Sequence, residues 1–264
     1  MDLKTDKMIA EKDGSIGWVI FNNPPRRNAV SLEMWEGLGV ILSDYQKDDG
    51  IRVVIMKGAG DRAFVSGADI SEFDSKRGSS KAKADYGRSS AFGSRMLYRL
   101  DKPLIAMIQG YCLGGGMAIA LNADIRIATD DARFGIPAAR LGLGYEYEGV
   151  KALCDLVGPS HASDILLSAR FLDAAEALHI GLVNRVVTRA ELEPTVRDYA
   201  ATIAGNAPLT VKAAKAAIKE AVKDSETRDL NRVRSLINAC FNSKDYAEGR
   251  RAFAEKRKPA FRGE

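Results

Sequence analysis

The sequence predicts an α/β fold. Short β-branched runs alternate with stretches of helical period, glycine turns recur between them at similar spacing, and the last third of the chain reads as helix. The chain has 264 residues, 46% apolar and 28% charged. That suits one sizeable soluble domain with a small appendage.

In chain order, GSIGWVIFNNP is a strand ended by Pro24 and Pro25. Ser31 is placed as an N-cap with Glu33 in the first turn, and Met34, Trp35, Leu38, Ile41 and Leu42 follow at helical spacing. IRVVIMKG reads as a buried strand, and GDRAFVSGADISEF as turn. Residues 71–90, rich in Ser, Lys, Gly and Asp, read as surface stretch or poor helix, and 91–100 as helix. PLIAMIQG is a strand, glycines 114–116 open a helix through MAIALNAD, and DIRIAT is a further strand. This recurrence points to stacked ββα units or another α/β arrangement. From about residue 159 the chain turns helical, with Gly181 as a C′ glycine and a soft boundary near 195.

In APLTVKAAKAAIKEAVKDSE, Val211, Ala214, Ile218, Ala221 and Val222 share one face, and Lys212, Lys215, Lys219 and Lys223 another. The lysines read as the solvated face of an amphipathic helix. The competing reading is a basic stripe for RNA or phosphates.

Composition narrows the function. A net charge of +4 against 39 basic and 35 acidic residues does not mark a nucleic-acid binder. Cys112, Cys154 and Cys240 form no CxxC pair, and only His161 and His179 could join them, so no structural zinc site is expected. Neither histidine is expected to be catalytic, and Cys112 has no base partner in view. The first residues carry no apolar signal-like segment, no apolar run approaches a membrane span, and the cysteines suit a reducing compartment. A cytoplasmic protein is the expectation.

Two glycine segments carry the chemistry. In QGYCLGGGMAIALNAD a strand leads through Gly114, Gly115 and Gly116 into an apolar helix. Glycines admit a ligand close to the main chain, and the free N–H groups of a helix start favour negative charge. FVSGADI, upstream, follows a strand and places Ala68 after a glycine. If the two turns met, their N–H groups would form an oxyanion hole.

FVSGADI, GYCLGGGMAIALNADIRIA, FGIP and AFAEKRKPAF, in this order and spacing, resemble the crotonase (enoyl-CoA hydratase/isomerase) superfamily from about residue 15 to 262. The resemblance implies a ββα spiral core over 1–195 and a C-terminal helical region over 196–264 that packs homotrimers, usually paired into hexamers. It implies an acyl-CoA substrate, with coenzyme A present only as part of that substrate. Ala68 and Gly115 match the two oxyanion donors. Ser66, Asp69 and Ile70 lie in the segment that holds the adenine end of CoA, Arg27 faces its phosphates, and Gly114 lies in the substrate loop. Phe253 and Lys256 match tail residues that reach a CoA, often a neighbouring subunit's. For Arg27 and Lys256 plain surface charge is the other reading.

The departures from the pattern bear on the reaction. Family hydratases keep one glutamate where this chain has Ala118 and a second where it has Ala138. Alanine can neither activate water nor protonate carbon. Glu146 falls where dienoyl-CoA isomerase relatives keep an aspartate, and Tyr145 where methylmalonyl-CoA decarboxylase relatives keep a tyrosine. In extended chain Glu146 and Glu148 would face one way, and Tyr145 and Tyr147 the other. The sequence thus favours double-bond isomerisation with Glu146 as proton carrier and Tyr145 or Glu148 assisting. Decarboxylation of a malonyl-type acyl-CoA, hydration by an altered arrangement, and a non-catalytic CoA- or RNA-binding role are the alternatives.

Overall fold

The computed structural model describes the backbone of residues 1–69 and 80–264, and the side chains of all of these except 80–89. Six strands form the larger sheet in the order β1 (Met8–Asp13), β2 (Ile16–Phe21), β3 (Val53–Gly58), β5 (Leu104–Ile108), β7 (Ile125–Thr129), β10 (Arg185–Val187). Only the β1–β2 hairpin is antiparallel. The smaller sheet runs β4 (Ala63–Val65), β6 (Tyr111–Leu113), β8 (Arg133–Gly135), β9 (Leu172–Asp173). The first strand of each repeat joins the large sheet and the second joins the small one. Helices α2 (Ser80–Arg99), α3 (Gly115–Leu121) and α4 (Tyr147–Ser168) close successive repeats. This is the expected ββα spiral.

Burial explains which strands the sequence announces. Val19 and Phe21 of β2 face one core with helix α1 (Leu32–Lys47), while Trp18 and Ile20 face another. A strand covered on both faces is apolar throughout. β1 is half-exposed and charged, and β4, β6 and β8 are three residues each. None of these four has a strand signature. The stretch 61–69, read as turn, therefore contains β4.

Local signals hold elsewhere. Ser31 caps α1, its Oγ accepting from Met34 N–H at 3.3 Å. Gly181 follows α5 (Ala174–His179) at φ +76°. Residues 80–99 form one helix, and the part of the expected surface stretch before it lies outside the described residues. Residue 195 lies inside α6 (Arg189–Ala204), whose Leu192, Val196 and Ala200 cover the outer face of the large sheet.

The lysine-bearing helix is α7 (Pro208–Ala221), and the reading of its lysines as a solvated face fails at Lys215 and Lys219. Lys215 is 7% exposed and donates to Asp124 Oδ2 and Lys102 O, both at 2.7 Å. Lys219 donates to Tyr98 O at 2.6 Å, in the last turn of α2, and to Leu100 O at 3.1 Å, just past its end. Lys212 pairs with Asp101, and Lys223 with Glu220. Ile218 and Val222 are exposed instead. Polar ends of the large-sheet crossovers offer carbonyls and a carboxylate there, and long lysines reach them while their stems pack.

Lys215→Met leaves the exposed Asp124 without its cation and Lys102 O without its donor. A loss of about 1–3 kcal/mol is expected by urea unfolding, against less than about 1 kcal/mol for Lys212→Met at an exposed pair.

Candidate active site

The first loop of the site is built on Asn28, which is fully buried at φ +58°. Its Oδ1 accepts from Asn23 N–H at 2.9 Å, and its Nδ2 donates to Ala59 O at 2.9 Å and Ala63 O at 2.8 Å. Asparagine tolerates this left-handed backbone because its short amide bonds locally. The loop in turn holds the start of SGAD: Ser66 N–H donates to Arg27 O at 3.1 Å and Ser66 Oγ to Arg26 O at 3.2 Å. Val30 N–H donates to Gly67 O at 2.8 Å, and Asp69 N–H donates to Val30 O at 3.1 Å. Alternation then turns the intervening Ala68 N–H away from Val30. It donates to no backbone carbonyl among the described residues.

The second loop is carried beside the first by β4 and β6, where Val65 pairs with Cys112. Gly114 turns at φ +50°, and its N–H donates to Gly135 O at 2.8 Å. Gly115 is the first residue of α3, so its N–H has no partner within the helix. The two turns meet. A Cβ on Gly115 would lie 3.5 Å from Ala68 N, and one on Gly116 would lie 2.1 Å from Val65 O. Gly116 thus lets α3 rest on β4, and Gly115 leaves open the space in front of Ala68 N–H. Two main-chain N–H groups brought this close are the kind of donor pair that receives negative charge on oxygen when both face it.

Ala118 and Ala138 are both partly exposed. Tyr145 packs against the main core, and its hydroxyl is buried without a hydrogen-bond partner among the described residues. Burial pushes that hydroxyl up to about 12, with the nearby Cys112 adding to the shift, so it stays protonated at neutral pH. Cys112 is fully buried, and burial likewise pushes its thiol up, which removes it as a nucleophile.

Residues 145–148 are not extended, because α4 begins at Tyr147. Tyr145 is half-buried whereas Tyr147 is 69% exposed, so the two do not share a side as the alternation had implied. Glu146 is the N-cap residue and Glu148 sits in the first turn, both exposed. Carboxylates there also favour the helix dipole.

The residues matched to CoA divide into two groups. Arg27, at φ +50°, stacks its guanidinium 5.1 Å from the Tyr111 ring. It lines a cleft of about 450 Å³ with Pro24, Asp61 and Arg62. Ser66, Asp69 and Gly114 lie in the two loops, while Ile70 lies outside the described residues. Phe253, 88% exposed on the helix Lys244–Ala254, and Lys256, just past its end, form the other group. Within this one chain no hydrogen bond or ion pair among the described residues links them to Ala68 or Gly115. His161 and His179 share a separate cleft with Asp164, Arg170 and Glu176.

Sequence reading missed Asn28 as the anchor of the first loop. Its signal was slight: one asparagine after two arginines in PPRRNAV.

The family model described as enoyl-CoA hydratase/isomerase matches residues 11–264. The chain belongs to the enoyl-CoA hydratase/isomerase family. It is similar to the short-chain-enoyl-CoA hydratase of Clostridium acetobutylicum, 36% identical over 97% of each chain. It is also similar to the carnitinyl-CoA dehydratase of Proteus mirabilis, 35% identical over 95% of this chain and 96% of that one. Among solved structures, an enoyl-CoA hydratase/carnithine racemase from Magnetospirillum magneticum superposes with a TM-score of 0.91 at 35% identity, covering 99% of this chain and 97% of that one. Membership confirms the crotonase fold expected from the motifs, and makes the chain an acyl-CoA-processing enzyme of the lyase or isomerase kind. Among the described residues no helix is long and apolar enough to cross a membrane.

Two glycine variants separate fold from site. Gly116→Ala forces a carbon onto Val65 O and is expected to lose more than about 2 kcal/mol in urea unfolding. Gly115→Ala meets nothing closer than 3.5 Å and is expected to fold with a change under about 1 kcal/mol. Its methyl fills the gap at Ala68 N–H, so activity should fall by about 10²-fold or more.

Tyr145→Phe is expected to match or exceed the parent's stability at pH 7, because it removes a buried hydroxyl that has no partner. Tyr145 has its folded value raised above the unfolded one, so its contribution is whole below about pH 10 and fades as pH rises towards 12. The stability gap between Tyr145→Phe and parent should therefore widen over that window in pH-dependent unfolding.

Proposed function

We propose that the chain holds the enolate of an acyl-CoA thioester between the N–H groups of Ala68 and Gly115, and that it is not a standard hydratase. The observation that carries this reading is the meeting of the two glycine turns, a Gly115 Cβ being only 3.5 Å from Ala68 N, beside alanines at 118 and 138. Coenzyme A enters as part of the substrate, and no further cofactor is required. Ser66, Asp69, Ile70, Gly114 and Arg27 hold the CoA. Phe253 and Lys256 serve a neighbouring subunit's CoA in a homotrimer or hexamer built through the 196–264 region. The exposed Ile218, Val222, Leu230, Ile237 and Phe241 support that self-association.

Double-bond isomerisation needs a group that takes a proton from one carbon and a donor that returns one to another. Glu146 supplies an exposed carboxylate, the adjacent residue Tyr145 a protonated hydroxyl on the buried side, and Glu148 assists. A second reading is decarboxylation of a malonyl-type thioester. There the C–C bond to the carboxylate breaks, CO₂ leaves, its electrons form the enolate, and the α-carbon then takes a proton. The unpartnered hydroxyl of Tyr145 favours it, because that step needs a donor and no base.

The readings separate in three assays on the purified protein: 3-enoyl-CoA isomerisation, malonyl-type decarboxylation and crotonyl-CoA hydration. Isomerisation should exceed hydration. Glu146→Gln should lower isomerisation by about 10²–10⁴-fold and leave decarboxylation intact, while Tyr145→Phe lowers both. Hydration faster than either other reaction would overturn the proposal, and an unchanged Glu146→Gln would remove Glu146 from it.

A further inference from the structure

Arg126, on β7, is a buried arginine that the chemistry above does not use. It is 5% exposed. Its Nε donates to Leu182 O at 2.8 Å, and its Nη1 donates to Ala120 O at 3.4 Å and to Ala123 O. Ala120 lies in the last turn of α3, and Ala123 two residues past its end. The main chain of Arg126 is fixed as well: its N–H donates to Asn184 Oδ1 at 2.8 Å, and its carbonyl accepts from Asn184 N–H at 2.9 Å. Among the described residues no carboxylate lies within ion-pair distance of the guanidinium. The nearby Asp124 is occupied, its Oδ2 taking Lys215 Nζ and Leu104 N–H, both at 2.7 Å. A buried cation left without a counter-ion is costly unless it is fully hydrogen-bonded. Here the bonds go to carbonyls, and two of those belong to the carboxyl end of one short helix.

That helix is the one whose first residue is Gly115. α3 is gripped at both ends, by Val65 O against Gly116 and by Arg126 at Ala120 and Ala123. We infer that Arg126 is a positioning residue for the Gly115 N–H: its guanidinium fixes α3 and offsets the negative end of that helix, so that unopposed positive potential reaches the oxyanion gap. The inference rests on the oxyanion reading above. Seven helical residues span roughly 10 Å. A unit charge roughly 12 Å from the oxyanion, at an effective dielectric of about 20, changes its stability by roughly ten-fold.

The test is the infrared carbonyl band of acetyl-CoA, ¹³C-labelled at the thioester carbonyl, bound to the parent, Arg126→Gln and Arg126→Lys. Thermal unfolding is measured in parallel. The parent should shift the band to lower frequency, Arg126→Lys should keep most of the shift, and Arg126→Gln should lose a clear part of it. Both variants should lose thermal stability, because both lose the fork of the guanidinium. In whichever acyl-CoA reaction the parent catalyses, kcat should fall about ten-fold in Arg126→Gln with KM little changed. Arg126→Lys should stay within about three-fold of the parent. A parent that binds acetyl-CoA without any band shift overturns the oxyanion reading, and this inference with it. A full parent shift that Arg126→Gln retains, or that both variants lose equally, overturns the role of the charge alone. Should Arg126→Gln not fold, Arg126→Lys decides: a retained shift supports the inference and a lost shift overturns it.

Discussion

The approach of α3 to β4 is the constraint on which the candidate site depends. A helix does not ordinarily rest its first turn on a strand carbonyl, because a side chain intervenes. At Gly116 none does, and the main chains close to a distance that a single carbon would forbid. Pairing of β4 with β6 sets the lateral position, Asn28 fixes the loop behind it, and Gly114 supplies the left-handed turn between strand and helix. The closeness of Ala68 N to Gly115 follows from these four supports. The rigidity of the gap is therefore distributed over a strand pair, a loop amide and two glycines, none of them at its centre.

The sequence made the parallel core legible, because β2, β3, β5 and β7 are apolar runs that no amphipathic helix would show. The small sheet was hidden. Its strands have two or three residues each, and their pairing depends on chain segments tens of residues away. The motifs gave the two glycine turns, but spacing could not show that residues 68 and 115 share one gap. Residues 145–148 failed in a different way. An alternating YEYE pattern describes a strand, yet Tyr147 and Glu148 already belong to a helix, so the period applied was wrong.

Helix α7 shows why amphipathic patterning can mislead about direction. A lysine stripe opposite an apolar stripe normally means that the lysines meet water. Lys215 instead reaches an aspartate 91 residues away in sequence, and Lys219 reaches the carbonyls at the carboxyl end of α2. Which face turns inward is decided by what the body of the protein presents, and here it presents oxygen atoms. The same arrangement removes the sequence support for a nucleic-acid role, since those ammonium groups are already bonded. It also leaves aliphatic side chains on the outside of the C-terminal helices.

The two N–H groups proposed to hold the oxyanion belong to the main chain. A side-chain acid or base disappears with one codon change. An amide of the backbone persists through every substitution that preserves the loop shape. The two halves of such a site are therefore unequally exposed to mutation. A lineage can discard and rebuild its proton-transfer groups while its capacity to receive charge on oxygen stays in place, which makes the glycine turns the heritable part of the site and the surrounding side chains its replaceable part.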